Sequence, residues 1–131
     1  MTGTASRILE SAGISCVDAK ELDGLPGKAG DPLIVVFVAE WCEVSREQAP
    51  VLVRLAERFR GRVRVAFADV DRRAGDAARL NVRSVPAVAI FARERELARQ
   101  VGAVREDELA SLVEKALDEC SKIDEVEKPR G

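Results

Sequence analysis

Cys42 stands directly after Trp41 and three residues before Ser45, in the stretch Phe37-Val-Ala-Glu-Trp-Cys-Glu-Val-Ser-Arg46. A thiol followed one helical turn later by a hydroxyl is an arrangement suited to thiol chemistry. Where a helix opens at such a cysteine, free N–H groups and the positive end of the helix dipole favour thiolate over thiol. Ser45 can donate a hydrogen bond to that thiolate, stabilising the charged form. A plainer role for Ser45 is a hydroxyl near the helix N-cap, serving a backbone N–H. A plainer role for Cys42 is a small buried hydrophobe. Glu40 and Glu43 put negative charge beside the sulfur, which opposes the helix terminus and repels anionic partners such as glutathione. Exposed charge pairs contribute under about 1 kcal/mol each.

The absences narrow the chemistry further. The chain contains no His and no Tyr. That excludes a Ser-His-Asp triad, a Cys-His dyad and an HExxH zinc site. The three cysteines, Cys16, Cys42 and Cys120, are odd in number and form no CxxC pair. Neither a zinc knuckle nor a disulfide framework is expected, and no metal or cofactor. Lys plus Arg total 21 against 23 Asp plus Glu, a net charge of -2. No nucleic-acid partner is expected from that balance. The arginines at 54, 58, 60, 62 and 64 are interspersed with Glu57 and read as a solvated face.

The 131 residues suit one domain, 1–131. Residues 1–12 read as a polar, helix-compatible lead-in without the apolar segment of a secretory signal. The longest apolar run, Leu33 to Ala39, falls far short of the ~20 residues that cross a bilayer. No membrane partner is expected. A cytoplasmic monomer with reduced thiols is the expectation.

Ile14 to Val17 reads as a short strand. Gly24, Pro26, Gly27, Gly30 and Pro32 punctuate a loop. Leu33 to Ala39, continuous and β-branched, reads as a strand buried on both faces. The apolar positions Val44, Ala49, Leu52, Val53, Leu55, Ala56 and Phe59 then predict a helix, kinked at Pro50 and stopped at Gly61. Val63 to Ala68 is a third strand, and Asp71 to Leu80 a short helix. Val88 to Phe91 and Leu97 to Val101 form a hairpin turning at Arg93 to Glu96. Glu106 to Cys120 is an amphipathic helix. Residues 121–131 read as a frayed charged tail. The pattern is α/β, with a central mixed β-sheet flanked by helices on both faces.

Five segments in this order resemble the thioredoxin family. They are Phe37-x-Ala-Glu-Trp-Cys42, Ala49-Pro50 with Leu52 and Leu55, Asp69-Val-Asp71, Val82-Arg-Ser-Val-Pro86, and Gly102. The matches span residues 14–118 and imply a thioredoxin-like fold. The resemblance implies that Pro86 is cis and lies against Cys42. It also implies that the Val85 backbone pairs with an extended substrate peptide.

The departures bear on function. The family motif is Trp-Cys-Gly-Pro-Cys, and here Ser45 stands where the resolving cysteine would be. The second cysteine normally releases the mixed disulfide, which serine cannot do. The family's buried Asp, six residues before the first cysteine, falls at Val36, and its Lys partner falls at Phe67. The resemblance assigns that Asp to proton transfer at the resolving cysteine. An unpaired buried charge is costly, so losing both members together is consistent. Cys16 reads as core. Cys120, some 20 Å down a helix that leads away from Cys42, is too distant to resolve it.

These residues predict a monothiol protein. Cys42 forms mixed disulfides with protein partners docked on Trp41, Val44, Val85 and Pro86, with Ser45 assisting, and an external thiol resolves them. One alternative is a non-catalytic module that presents the same hydrophobic patch. Another is a dithiol protein whose resolving cysteine was changed to serine to trap partners. The linked changes at 36, 45 and 67 favour a native Ser45, since an engineer would change one position.

Overall fold

The computed structural model describes residues 4–18, 31–71, 78, 81–92 and 95–127. Among the described residues there are five strands: β1 Ser15–Cys16, β2 Leu33–Val38, β3 Arg64–Asp69, β4 Ala87–Ala92 and β5 Arg95–Val101. They form one sheet in the order β1-β3-β2-β4-β5. β1 and β2 run parallel to β3, while β4 is antiparallel to both β2 and β5. β2 is the central strand, and all six of its residues are buried. A run of Leu, Ile, Val and Phe without alternation suits only a strand covered on both faces.

The helices bounded within the described residues are α1 Ala5–Ser11, α2 Glu43–Arg58 and α3 Glu106–Glu127. Ile34, Val36 and Val38 of β2 share one apolar cluster with Leu9 of α1, Leu52 and Leu55 of α2, and Leu109 and Val113 of α3. Leu33, Val35 and Phe37 point the other way and pack with Ala66, Ala68, Ala87 and Ala89. Both faces of β2 are therefore buried, as the centre of an α/β layered fold requires. Pro50 lies within α2, which runs through it. Gly61 takes φ of +83° just after α2, a conformation that side chains with a Cβ rarely adopt.

Several elements differ from the sequence expectation. The N-terminal stretch is no peripheral lead-in: α1 is capped by Thr4 and buries Ala5, Ser6 and Leu9. Its Ala5 and Leu9, four residues apart, share one helix face, and that face is what the core takes up. The expected tail from 121 is helix as far as Glu127. Its residues are mostly tolerant of helix, and no Gly or Pro intervenes before Pro129. Arg95 and Glu96 belong to β5 rather than to a turn. β5 is an edge strand with exposed positions, so charged side chains are no obstacle there. Val44 leaves the apolar face of α2 and is 42% exposed. Most of the expected 71–80 helix lies outside the described residues, as do most of the loop from Gly24 and residues 93–94.

Leu9→Ala should lower the unfolding free energy by about 2–5 kcal/mol, the usual range for emptying a closed site. A urea melt with unchanged slope and a lower midpoint checks this; a midpoint identical to the parent's would return α1 to the periphery.

Candidate functional site

β2 ends at Val38, and the chain turns through Ala39, Glu40 and Trp41 before α2 begins. Cys42 is the N-cap residue of α2, with extended backbone (φ -93°, ψ 113°). Its N–H donates to Ala39 O at 3.2 Å and its carbonyl accepts from Arg46 N–H at 3.3 Å. The sulfur is half-buried, and its S–H faces the Val85 carbonyl at 3.8 Å, a long and weak contact. The Val85–Pro86 peptide bond is cis. Pro86 O in turn accepts from Gly102 N–H at 2.9 Å, tying the loop to the end of β5. Cys42, Val85 and Pro86 are thus brought together from two distant parts of the chain.

Ser45 does not reach the sulfur. It is wholly buried, and its Oγ accepts the Ala39 N–H at 3.3 Å. No Ser45–Cys42 hydrogen bond forms among the described residues. The hydroxyl serves a backbone group instead, and that group lies upstream of the helix rather than within its first turn. An unpaired buried N–H at Ala39 would be costly, so the bend itself claims the oxygen.

The residues that hold the bend, Asp69 and Asp71, stood in the sequence only as a segment of the family resemblance, with no role at the site. Asp71 accepts the Glu40 N–H at 2.7 Å through Oδ2 and the Trp41 indole N–H at 2.9 Å through Oδ1. Asp69 Oδ1 accepts the Asp71 N–H at 2.9 Å. The available signal was two carboxylates one residue apart at the end of an apolar strand, where loops leave N–H groups unpaired. Gln48 was also missed. Buried in α2, it clamps Val104, donating through Nε2 at 3.0 Å and accepting through Oε1 at 2.8 Å. A polar residue one turn from both Val44 and Leu52 was the clue.

Beside the sulfur two large apolar side chains are exposed among polar ones. Trp41 is 72% exposed, and Val44 is also exposed. A groove of about 130 Å³ runs between Trp41, Val70 and the 82–85 loop. Glu43 forms an exposed ion pair with Arg46 at 3.0 Å, which partly neutralises the acid nearest the thiol. The other cysteines lie elsewhere. Cys120 is buried, so it does not present an exposed thiol for dimerisation. Cys16 is half-buried rather than fully core, and it pairs with Phe67, itself paired with Val36. Two strand spacings put it about 10 Å to the side of β2, beyond the ~7 Å reach of a disulfide. Among the described residues, no group of three or more metal-ligating side chains is assembled, and no helix is long and apolar enough to cross a membrane.

A family-level model described as Thioredoxin matches residues 15–115. The chain belongs to the thioredoxin family. It is 34% identical over 86 residues to thioredoxin C-2 of Corynebacterium nephridii, covering 66% of this chain and 80% of that protein. It is 35% identical over 86 residues to a thioredoxin of Synechocystis, with the same coverage of each. It is 33% identical over 98 residues to the chloroplastic M-type thioredoxin of Zea mays, covering 75% of this chain and 59% of that protein. The family is one of thiol–disulfide oxidoreductases.

Within a thioredoxin fold, the departures at 36 and 67 acquire a geometry. Val36 and Phe67 are direct neighbours on β2 and β3, and each is wholly shielded from water. An apolar pair fills the place of an ion pair, and a single charge there would have no partner across the strand.

Val36→Asp should therefore destabilise the chain by about 3 kcal/mol or more, with part of the loss recovered by adding Phe67→Lys. Denaturant melts of the two variants check this; additive losses would show that the positions do not communicate. Asp71→Ala should release the indole, lowering the fluorescence anisotropy of Trp41, the chain's one tryptophan. Unchanged anisotropy would mean that the Asp71 hydrogen bonds do not hold the ring.

Proposed function

We propose that this chain is a monothiol member of the thioredoxin family that forms mixed disulfides with partner proteins through Cys42. The observation that carries the reading is the half-buried Cys42 sulfur at the N-cap of α2, 3.8 Å from the Val85 carbonyl, with a buried serine one turn later. Loss of the thiol proton, which the exchange requires, releases the Val85 carbonyl from its S–H contact and leaves it free to pair with an extended peptide. Trp41 and Val44 supply apolar contact beside it, and Pro86 shapes the loop.

The Cys42 thiolate attacks one sulfur of a partner disulfide; a Cys42–partner S–S bond forms, the partner's own S–S bond breaks, and its second sulfur leaves as a thiolate. A second thiolate, from an external low-molecular-weight thiol, then attacks the partner sulfur. Cys42 leaves as a thiolate, and the new disulfide joins the partner to the incoming thiol. Ser45 cannot supply that second thiolate, so the mixed disulfide outlives one that an internal cysteine would cleave. The setting is proposed to be a reducing one such as the cytoplasm, and the protein to act as a monomer without a cofactor. Neither nucleic acid nor a membrane is proposed as a partner.

The exposure of Trp41 and Val44 also suits a second reading, a docking module in which the thiol is idle. A trapping substitution at 45 is the third, and the native gene sequence decides it.

Treatment with a disulfide-bonded peptide, followed by peptide mapping, should give one adduct at Cys42 and none at the buried Cys120. The adduct should persist until an external thiol is added. Absence of any Cys42 adduct across redox conditions would reject the monothiol reading. Partner binding and cellular role that survive Cys42→Ser would favour the docking module.

A further inference from the structure

α1 precedes the first strand and lies far from Cys42 in sequence, yet one polar side chain links it to the site. Ser6 is 1% exposed, and its Oγ donates to Asp69 Oδ2 at 2.6 Å across 63 positions of sequence. Asp69 is itself buried, at 4% exposure. Its other oxygen accepts the Asp71 N–H at 2.9 Å. Asp71 in turn holds the Glu40 N–H at 2.7 Å and the Trp41 indole at 2.9 Å. The connection from α1 to the residue beside the sulfur is thus a sequence of short hydrogen bonds, most to carboxylate oxygens. Hydrogen bonds to ionised groups are the stronger and more directional kind.

An apolar residue would fill this place in α1 at least as well, because Ala5 and Leu9 beside it already pack into the core. A buried hydroxyl costs stability unless it has a hydrogen-bond partner, and in the first turn of α1 the Ser6 hydroxyl finds one in the Asp69 carboxylate. With one Asp69 oxygen committed to Ser6, the carboxylate is fixed in rotation. That fixes where its other oxygen receives the Asp71 N–H, and so where the Asp71 side chain stands.

We propose that Ser6 is a positioning residue for the thiol site, acting through Asp69 and Asp71 to set the orientation of Trp41. α1 is then more than a covering helix: it completes the support of the face on which a partner docks. The proposal rests on the reading of that face as the docking surface only for its second readout. Its first readout concerns the tryptophan alone, so the two can fail separately.

Ser6→Ala removes one oxygen and leaves the better helix former. Trp41 is the only tryptophan and there is no tyrosine, so intrinsic fluorescence reports this one ring. Ser6→Ala should lower its anisotropy. It should also slow mixed-disulfide formation between Cys42 and a disulfide-bonded peptide by about threefold to tenfold, the range that one lost hydrogen bond covers. Leu9→Ala, a core change in the same helix, should move neither readout in the folded protein. In an Asp71→Ala background, Ser6→Ala should add nothing, because the link is already cut. Unchanged anisotropy in Ser6→Ala would overturn the proposal, as would an equal effect of Leu9→Ala or full additivity with Asp71→Ala. Changed anisotropy with an unchanged exchange rate would keep the positioning role for Trp41 and remove its bearing on docking. Should Ser6→Ala not fold, Asp69→Ala, read the same way, interrupts the same link.

Discussion

A strand without solvent on either face cannot bend until its apolar run stops, and β2 has no solvent-exposed residue along its length. It therefore delivers the chain at a fixed place and direction at the edge of the core. The bend that follows, from Ala39 to Trp41, is short and contains backbone N–H groups that neither strand nor helix can satisfy. Everything chemical about the molecule depends on how those groups are met. Ser45 takes one of them from inside the first turn of α2, and Asp71 takes another from beyond the end of β3. The cysteine sits where the two supports converge.

This arrangement explains why the hydroxyl that stands in for a resolving cysteine is not idle. Its oxygen closes the bend from within, so its chemistry is structural. Val36 and Phe67 pair across β2 and β3, both shielded from solvent. An ion pair there is tolerable only when both charges are present and well coordinated, whereas an apolar pair needs no such coordination.

The polar groups that remain buried share a pattern. Gln48 clamps both the N–H and the carbonyl of Val104, and Asp69 receives donors on both of its oxygens. Each fixes a loop at the end of the sheet where the site lies, and each does so through two hydrogen bonds at once. The apolar core confers most of the stability, while these few polar contacts confer the geometry.

The linear order of residues was enough to determine the α/β architecture, the central buried strand, the helix that opens at Cys42 and the family to which the chain belongs. Those features rest on periodicity and on short motifs, which are local in sequence. Val85 and Pro86 were legible for the same reason. What the chain order could not decide was which polar side chain meets which backbone group. Ser45 turned toward Ala39 instead of the sulfur, Asp71 reached the indole, and α1 entered the core through Ala5, Ser6 and Leu9. Each of these contacts joins separate elements, several of them tens of residues apart, and each depends on the directions in which packed elements present their side chains. Hydrogen bonds are short-ranged and directional, so only the folded arrangement could assign them.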